Sequence, residues 1–163
     1  MYFTYNGETL VVSIIALALF LIAGLTDYLD GYIARKTQTE SNLGALLDLL
    51  ADKLLVCIVL IWLVYILQNE LLIFPVLLIL FRELVVSSFR QWIVENIGKN
   101  PVEVTYIAKS KTTLQFMAIS FLILSPHLGI LFNQLTVTLV WIAAFVSLYS
   151  LFNYAKTYKD YLN

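Results

Sequence analysis

Charge is scarce in this sequence. Asp, Glu, Lys and Arg make up 13% of its 163 residues, against about a quarter in an ordinary soluble domain. With 61% hydrophobic residues, that shortage excludes a typical water-soluble globule and points to lipid as the main solvent. Cysteine is nearly absent. Cys57 stands alone inside the apolar run Leu54–Leu67, which rules out an intrachain disulfide and reads as a small buried hydrophobe. Histidine is equally rare: His127 has no second histidine to build a zinc site or a triad with, and reads as a loop residue. The N-terminal MYFTYNGET lacks Lys and Arg, so the basic start of a cleavable signal peptide is missing. The apolar run after it ends in acidic TDYLD rather than at a small-residue cleavage site. Repeats, low-complexity segments and long linkers are also missing, so residues 1–163 read as one domain.

What is abundant is apolar sequence in lengths of about 20 residues, as a bilayer-crossing helix requires. Five such segments are expected: Leu10 to about Tyr32, Ser41–Leu67, Leu71–Ile93, Lys111–Leu124 and Leu131–Tyr154. Gln68-Asn69-Glu70 separates the second from the third, and Pro126 with Gly129 separates the last two. The fold class is therefore all-α, a polytopic transmembrane helix bundle of about five spans. All 10 Lys and Arg residues fall toward one side of that arrangement. By the positive-inside rule, the 35–42 loop, the 94–110 segment and the C-terminus face the cytoplasm.

Ionisable groups beside a membrane span mark function by default, because they are costly there. Four aspartates gather in two short stretches. On a helix, Asp27, Asp30, Gly31, Ala34 and Arg35 form one stripe, stepping by three and four. Gly44, Asp48 and Asp52 form another, and the polar stretch Lys36–Asn42 lets the chain turn so that the stripes face each other. Four converging carboxylates would repel one another and could not all stay ionised. Two divalent cations remove that conflict, and an all-oxygen donor set suits Mg2+ or Mn2+ rather than zinc. A paired-metal site clamps phosphoryl oxygens and helps activate a hydroxyl. Gly31 and Ala34 leave room for a flat ligand or for close helix packing, Gly44 allows backbone approach, and Arg35 offers a planar fork to a phosphate.

The complete pattern, Asp27-x2-Asp30-Gly31-x2-Ala34-Arg35-x8-Gly44-x3-Asp48-x3-Asp52, resembles the signature of the CDP-alcohol phosphatidyltransferases. That resemblance implies that Asp27, Asp30, Asp48 and Asp52 hold two metal ions and that Asp52 is also the general base on the acceptor hydroxyl. It further implies a CDP pocket lined by Asp30, Gly31, Ala34, Arg35 and Gly44. Downstream, Arg82-Glu83-Leu84-Val85-Val86-Ser87-Ser88-Phe89-Arg90 and Ile107-Ala108-Lys109-Ser110-Lys111-Thr112-Thr113-Leu114-Gln115 resemble the branch of the family that joins CDP-diacylglycerol to sn-glycerol 3-phosphate and releases CMP. A phosphorylated acceptor needs cations beyond the metal pair, and Arg82, Arg90, Lys109 and Lys111 are the candidates. Their alternative is flanking or snorkelling charge, which is the better reading for Lys99.

There are two departures. Ala108 stands where the family usually carries glycine, and the family has six spans whereas this chain enters at what would be the second. The expectation is therefore a domain lacking the family's first transmembrane helix, its N-terminus truncated. The resemblance implies an enzyme of phospholipid biosynthesis in the inner (cytoplasmic) membrane, multi-pass, with its active site facing the cytoplasm. Lipid is its surroundings, and nucleic acid is not an expected partner. Family members often pair through membrane helices, so a homodimer is part of the expectation, although no GxxxG motif marks an interface. Serine or inositol phosphate as acceptor, a cation transporter and an inactive assembly subunit are the competing readings.

Overall fold

The structure, a computed structural model, describes residues 9–37, 42–97 and 106–157. Within these helices the side chains at 9, 27–28, 30–37, 42–50, 52, 90, 94–97, 106–111 and 157 lie outside the description. Among the described residues the regular structure is helical throughout: α1 (Thr9–Thr37), α2 (Asn42–Leu67), α3 (Glu70–Ile97), α4 (Tyr106–Leu124), a 3-10 turn (Ser125–His127) and α5 (Gly129–Thr157). Each expected apolar segment is a helix. Of these, Glu70–Ile93 and Gly129–Lys156 are long and apolar enough to cross a membrane, while Leu10–Thr26 and Lys53–Leu67 are shorter apolar stretches. Helix ends run past the expected limits: α1 to Thr37, α3 to Ile97, α4 back to Tyr106, and α5 from Gly129 to Thr157. The reason is that hydropathy stops at the first cluster of polar residues, whereas backbone hydrogen bonding continues through them.

Local chemistry sets the two turns. Gln68 adopts φ 46° and its N–H donates to Val64 O at 3.1 Å, closing α2 in the left-handed cap usually given to glycine. Asn69 then caps α3, its Oδ1 accepting from Leu71 N–H at 3.1 Å. At the other turn Gly129 has φ 84°, a conformation that lets α5 start directly after the 3-10 turn. His127, expected in a loop, lies in that turn, with Nε2 3.0 Å from Ser13 Oγ of α1. Cys57 is half-buried on α2.

In the bundle α5 packs against α3 and α4, α1 against α4 and α2, and α2 against α3. The α5 face at the centre is built of Val140, Ala143, Ala144, Ser147 and Ser150, all buried, and small residues allow this close approach. Phe20, Leu60, Leu72, Ile79, Ile119 and Leu122 complete the core. The exterior is apolar as well: Val11, Leu19, Tyr65, Phe74, Leu131 and Phe152 are each at least 60% exposed, far more than a water-facing monomer leaves uncovered.

Gly24 governs how α1 meets α4. A Cβ built on it would overlap the Phe116 ring, which is stacked on Phe20 with centroids 4.3 Å apart and so has little room to retreat. Gly24→Ala is expected to cost about 1–3 kcal/mol through overpacking, outweighing the roughly 1 kcal/mol that alanine gains as a helix former. Melting in detergent micelles checks this, and adding Phe116→Leu should restore most of the loss.

Candidate active site

The register of two helices points to the site. On α1 the inward positions are visible: Ser13 joins His127, Phe20 is buried and Gly24 abuts Phe116. Continuing by steps of three and four leads from Gly24 to Asp27, Gly31 and Ala34. On α2 the corresponding row runs from buried Leu63 through Val59 and Leu55, both packed on or within the core, to Asp52, Asp48 and Gly44. Thus the backbone sets Asp27 on the same α1 face as Phe20, and Asp52 and Asp48 on the same α2 face as Val59 and Leu63.

Those two faces line an open cavity of about 440 Å³ whose walls include Ser13, Ala16 and Phe20 of α1, Val59, Leu63 and Ile66 of α2, and Leu122 of α4. It is lined mainly by apolar side chains. Phe20 precedes Asp27 by seven residues and Val59 follows Asp52 by seven, so each acidic position begins about 10 Å along its helix from the cavity wall. The two helices run antiparallel, and their signature segments therefore occupy matching levels beyond the same end of the cavity.

Asp27, Asp30, Gly31, Ala34 and Arg35 belong to the second half of α1, and Gly44, Asp48 and Asp52 to the first half of α2. The aspartate, alanine and Arg35 side chains lie outside the described ones. Among the described residues no group of three His, Cys, Asp or Glu side chains converges on a cation position. The donor chemistry suits hard divalent ions, since four carboxylates supply only oxygen.

Of the four acceptor-site candidates, Arg90 lies in α3 and Lys109 and Lys111 in the first turns of α4, with side chains outside the description. Arg82 is described fully. It is buried at 6% exposure, its Nη2 donates to Ser150 Oγ of α5 at 3.0 Å, and its Nη1 lies 3.3 Å from Glu83 Oε1. A guanidinium inside the bundle is thus tied into the α3–α5 contact, where an intramembrane arginine needs partners of this kind. Lys53, Ser87 and Ser150 had no role assigned from sequence. Lys53, next to Asp52, donates to Ser87 Oγ of α3; Ser87 Oγ in turn donates to Glu83 O at 2.6 Å. Adjacency to Asp52 was the available signal for Lys53, whereas nothing in the sequence singles out Ser150.

A phosphatidyltransferase reading rests on these helix faces and is matched by comparison with known proteins. The family model for CDP-alcohol phosphatidyltransferase matches residues 3–149. The chain belongs to the CDP-alcohol phosphatidyltransferase family, and with its apolar exterior it is a membrane protein. Among its relatives, a Rickettsia bellii protein named CDP-diacylglycerol–glycerol-3-phosphate 3-phosphatidyltransferase is 41% identical over 145 residues, covering 88% of this chain and 78% of that protein. Proteins of the same name from Cereibacter sphaeroides and Shigella flexneri are 46% identical over 114 residues (69% of this chain, 51% of that protein) and 31% identical over 139 residues (85% and 75%).

Proposed function

We propose that this chain transfers the phosphatidyl group of CDP-diacylglycerol to sn-glycerol 3-phosphate, giving phosphatidylglycerophosphate and CMP. The observation that carries this reading is the continuity of the two acidic rows with the two walls of one apolar cavity. A lipid nucleotide needs that combination, with polar binding for its diphosphate beside apolar space for a chain. The names of relatives that align over most of this chain supply the acceptor.

Asp27, Asp30, Asp48 and Asp52 would hold two Mg2+ or Mn2+ ions, which when bound neutralise charge on the diphosphate. Asp30, Gly31, Ala34, Arg35 and Gly44 bind the CDP moiety, the glycine and alanine positions leaving space and Arg35 donating to phosphate oxygens. Asp52 accepts the proton of the acceptor hydroxyl. The acceptor oxygen bonds to the phosphorus that carries diacylglycerol, the bond from that phosphorus to the bridging oxygen breaks, and CMP leaves with that oxygen. Arg82, Arg90, Lys109 and Lys111 attract the acceptor's own phosphate.

The five helices serve as five spans of a bundle formed by residues 1–163. Both turns seen between helices, at 68–69 and 125–128, lack Lys and Arg, which supports a cytoplasmic position for the opposite end and for the aspartates.

Purified protein in micelles, given CDP-diacylglycerol, Mg2+ and labelled glycerol 3-phosphate, is expected to form labelled lipid and CMP. EDTA should stop the reaction and excess Mg2+ restore it. Labelling from serine but not from glycerol 3-phosphate would replace the acceptor, and undiminished CMP release in EDTA would remove the cations.

A further inference from the structure

The contact between Lys53 and Ser87 gives α2 a fixed rotation. Lys53 follows Asp52 directly, so the two positions lie about 100° apart around the helix. Asp52 shares the face of Val59 and Leu63, toward the cavity and α1, whereas Lys53 reaches α3. There its ammonium, half-buried, donates to Ser87 Oγ. Ser87 is not an adaptable partner, because its own hydroxyl hydrogen is committed to Glu83 O at 2.6 Å. Glu83 is paired with Arg82 at 3.3 Å, and Arg82 is held by buried Ser150 at 3.0 Å. Lys53, beside Asp52, is thus tied through Ser87 to the α3 backbone at Glu83 O, and α3 is joined to the α5 core one residue away by Arg82 and Ser150. The central α5 face is packed with small buried residues, which makes it a rigid anchor.

From this geometry, and resting on the phosphatidyltransferase reading above, we infer that Lys53 is a positioning residue: through Ser87 it locks the rotation of α2 so that the Asp48 and Asp52 row stays turned toward α1. Its stem crosses apolar surface, and its charge has the hydroxyl that a cation in this setting requires. A tilt or rotation of the helix by even part of a residue step would displace both aspartates together, since they lie on one face. Displacements of about 1 Å at reacting groups cost on the order of a hundredfold in rate. Lys53 would thus act on turnover without touching substrate.

The test compares wild type, Lys53→Met, Ser87→Ala, the double variant and Lys53→Arg in detergent micelles. CMP release gives kcat and KM for both substrates, and Mn2+ binding is followed by electron paramagnetic resonance without substrate. Lys53→Met and Ser87→Ala should each lower kcat at least tenfold, with both KM values within twofold of wild type. The double variant should be no worse than Lys53→Met, and Lys53→Arg, which still reaches Ser87, should retain most of the rate. Both single variants should weaken Mn2+ binding severalfold, because the row of carboxylates loses its alignment. A fully active Ser87→Ala, or losses that multiply in the double variant, would overturn the inference. So would a higher KM for glycerol 3-phosphate at unchanged kcat in Lys53→Met, the mark of direct substrate contact. Should wild type release no CMP, the functional reading fails, and the Mn2+ titration still decides the relay: equal affinity in wild type and both single variants refutes it.

Discussion

Replacing Asp52 by Asn is expected to lower CMP release by at least a thousandfold while CDP-diacylglycerol binding is only partly reduced. The substitution keeps the size and shape of the side chain but removes the group proposed to take the acceptor's proton. A positioned base contributes about 10²–10⁴-fold to rate, and loss of one carboxylate from the cation pair adds to that. Binding survives in part because Asp27, Asp30, Asp48, Arg35 and the apolar cavity are all retained. Turnover measured by CMP release, beside equilibrium binding of labelled CDP-diacylglycerol, separates the two effects. Full activity in Asp52→Asn would refute the base assignment while leaving membership of the family untouched.

The second large effect is expected at Arg82, and it falls first on stability. Arg82 and Glu83 have side-chain exposures of 7% and 14%, so water offers the carboxylate little compensation when the guanidinium is removed. Breaking a buried pair from one side costs about 3–5 kcal/mol, and Ser150 loses its partner as well. Arg82→Met should therefore melt well below wild type in micelles. Adding Glu83→Gln should recover part of the loss, because the carboxylate that faced Arg82 no longer carries a charge. If the recovered double variant then shows a raised KM for glycerol 3-phosphate, Arg82 also serves the acceptor phosphate. An unchanged KM would confine it to holding α3 on α5. Lysine in place of arginine is a poor substitute, since a point charge cannot serve Ser150 and Glu83 with a planar fork.

The sequence by itself determined the helices and the spacing of the signature. Apolar length marked five helices correctly, and Gln68-Asn69 and Pro126 through Gly129 marked the turns, because hydropathy and turn preference are local properties. The spacing of Asp27, Asp30, Asp48 and Asp52 was legible for the same reason: a helix turns its residues by a constant angle, so side-chain rows can be counted along the chain. Helix ends at Thr37, Ile97 and Tyr106 were not legible, since a hydropathy pattern reports where lipid ends and not where hydrogen bonding does.

Only the tertiary structure decided which rows meet. It brought the α1 face of Phe20 and the α2 face of Val59 to a common cavity, seated Gly24 against Phe116, and joined Lys53, Ser87, Glu83, Arg82 and Ser150 across three helices. Such pairings depend on how whole helices rotate and pack against one another. A residue's chemistry is written in its own position, but its partner is fixed by the shapes of all the side chains between them.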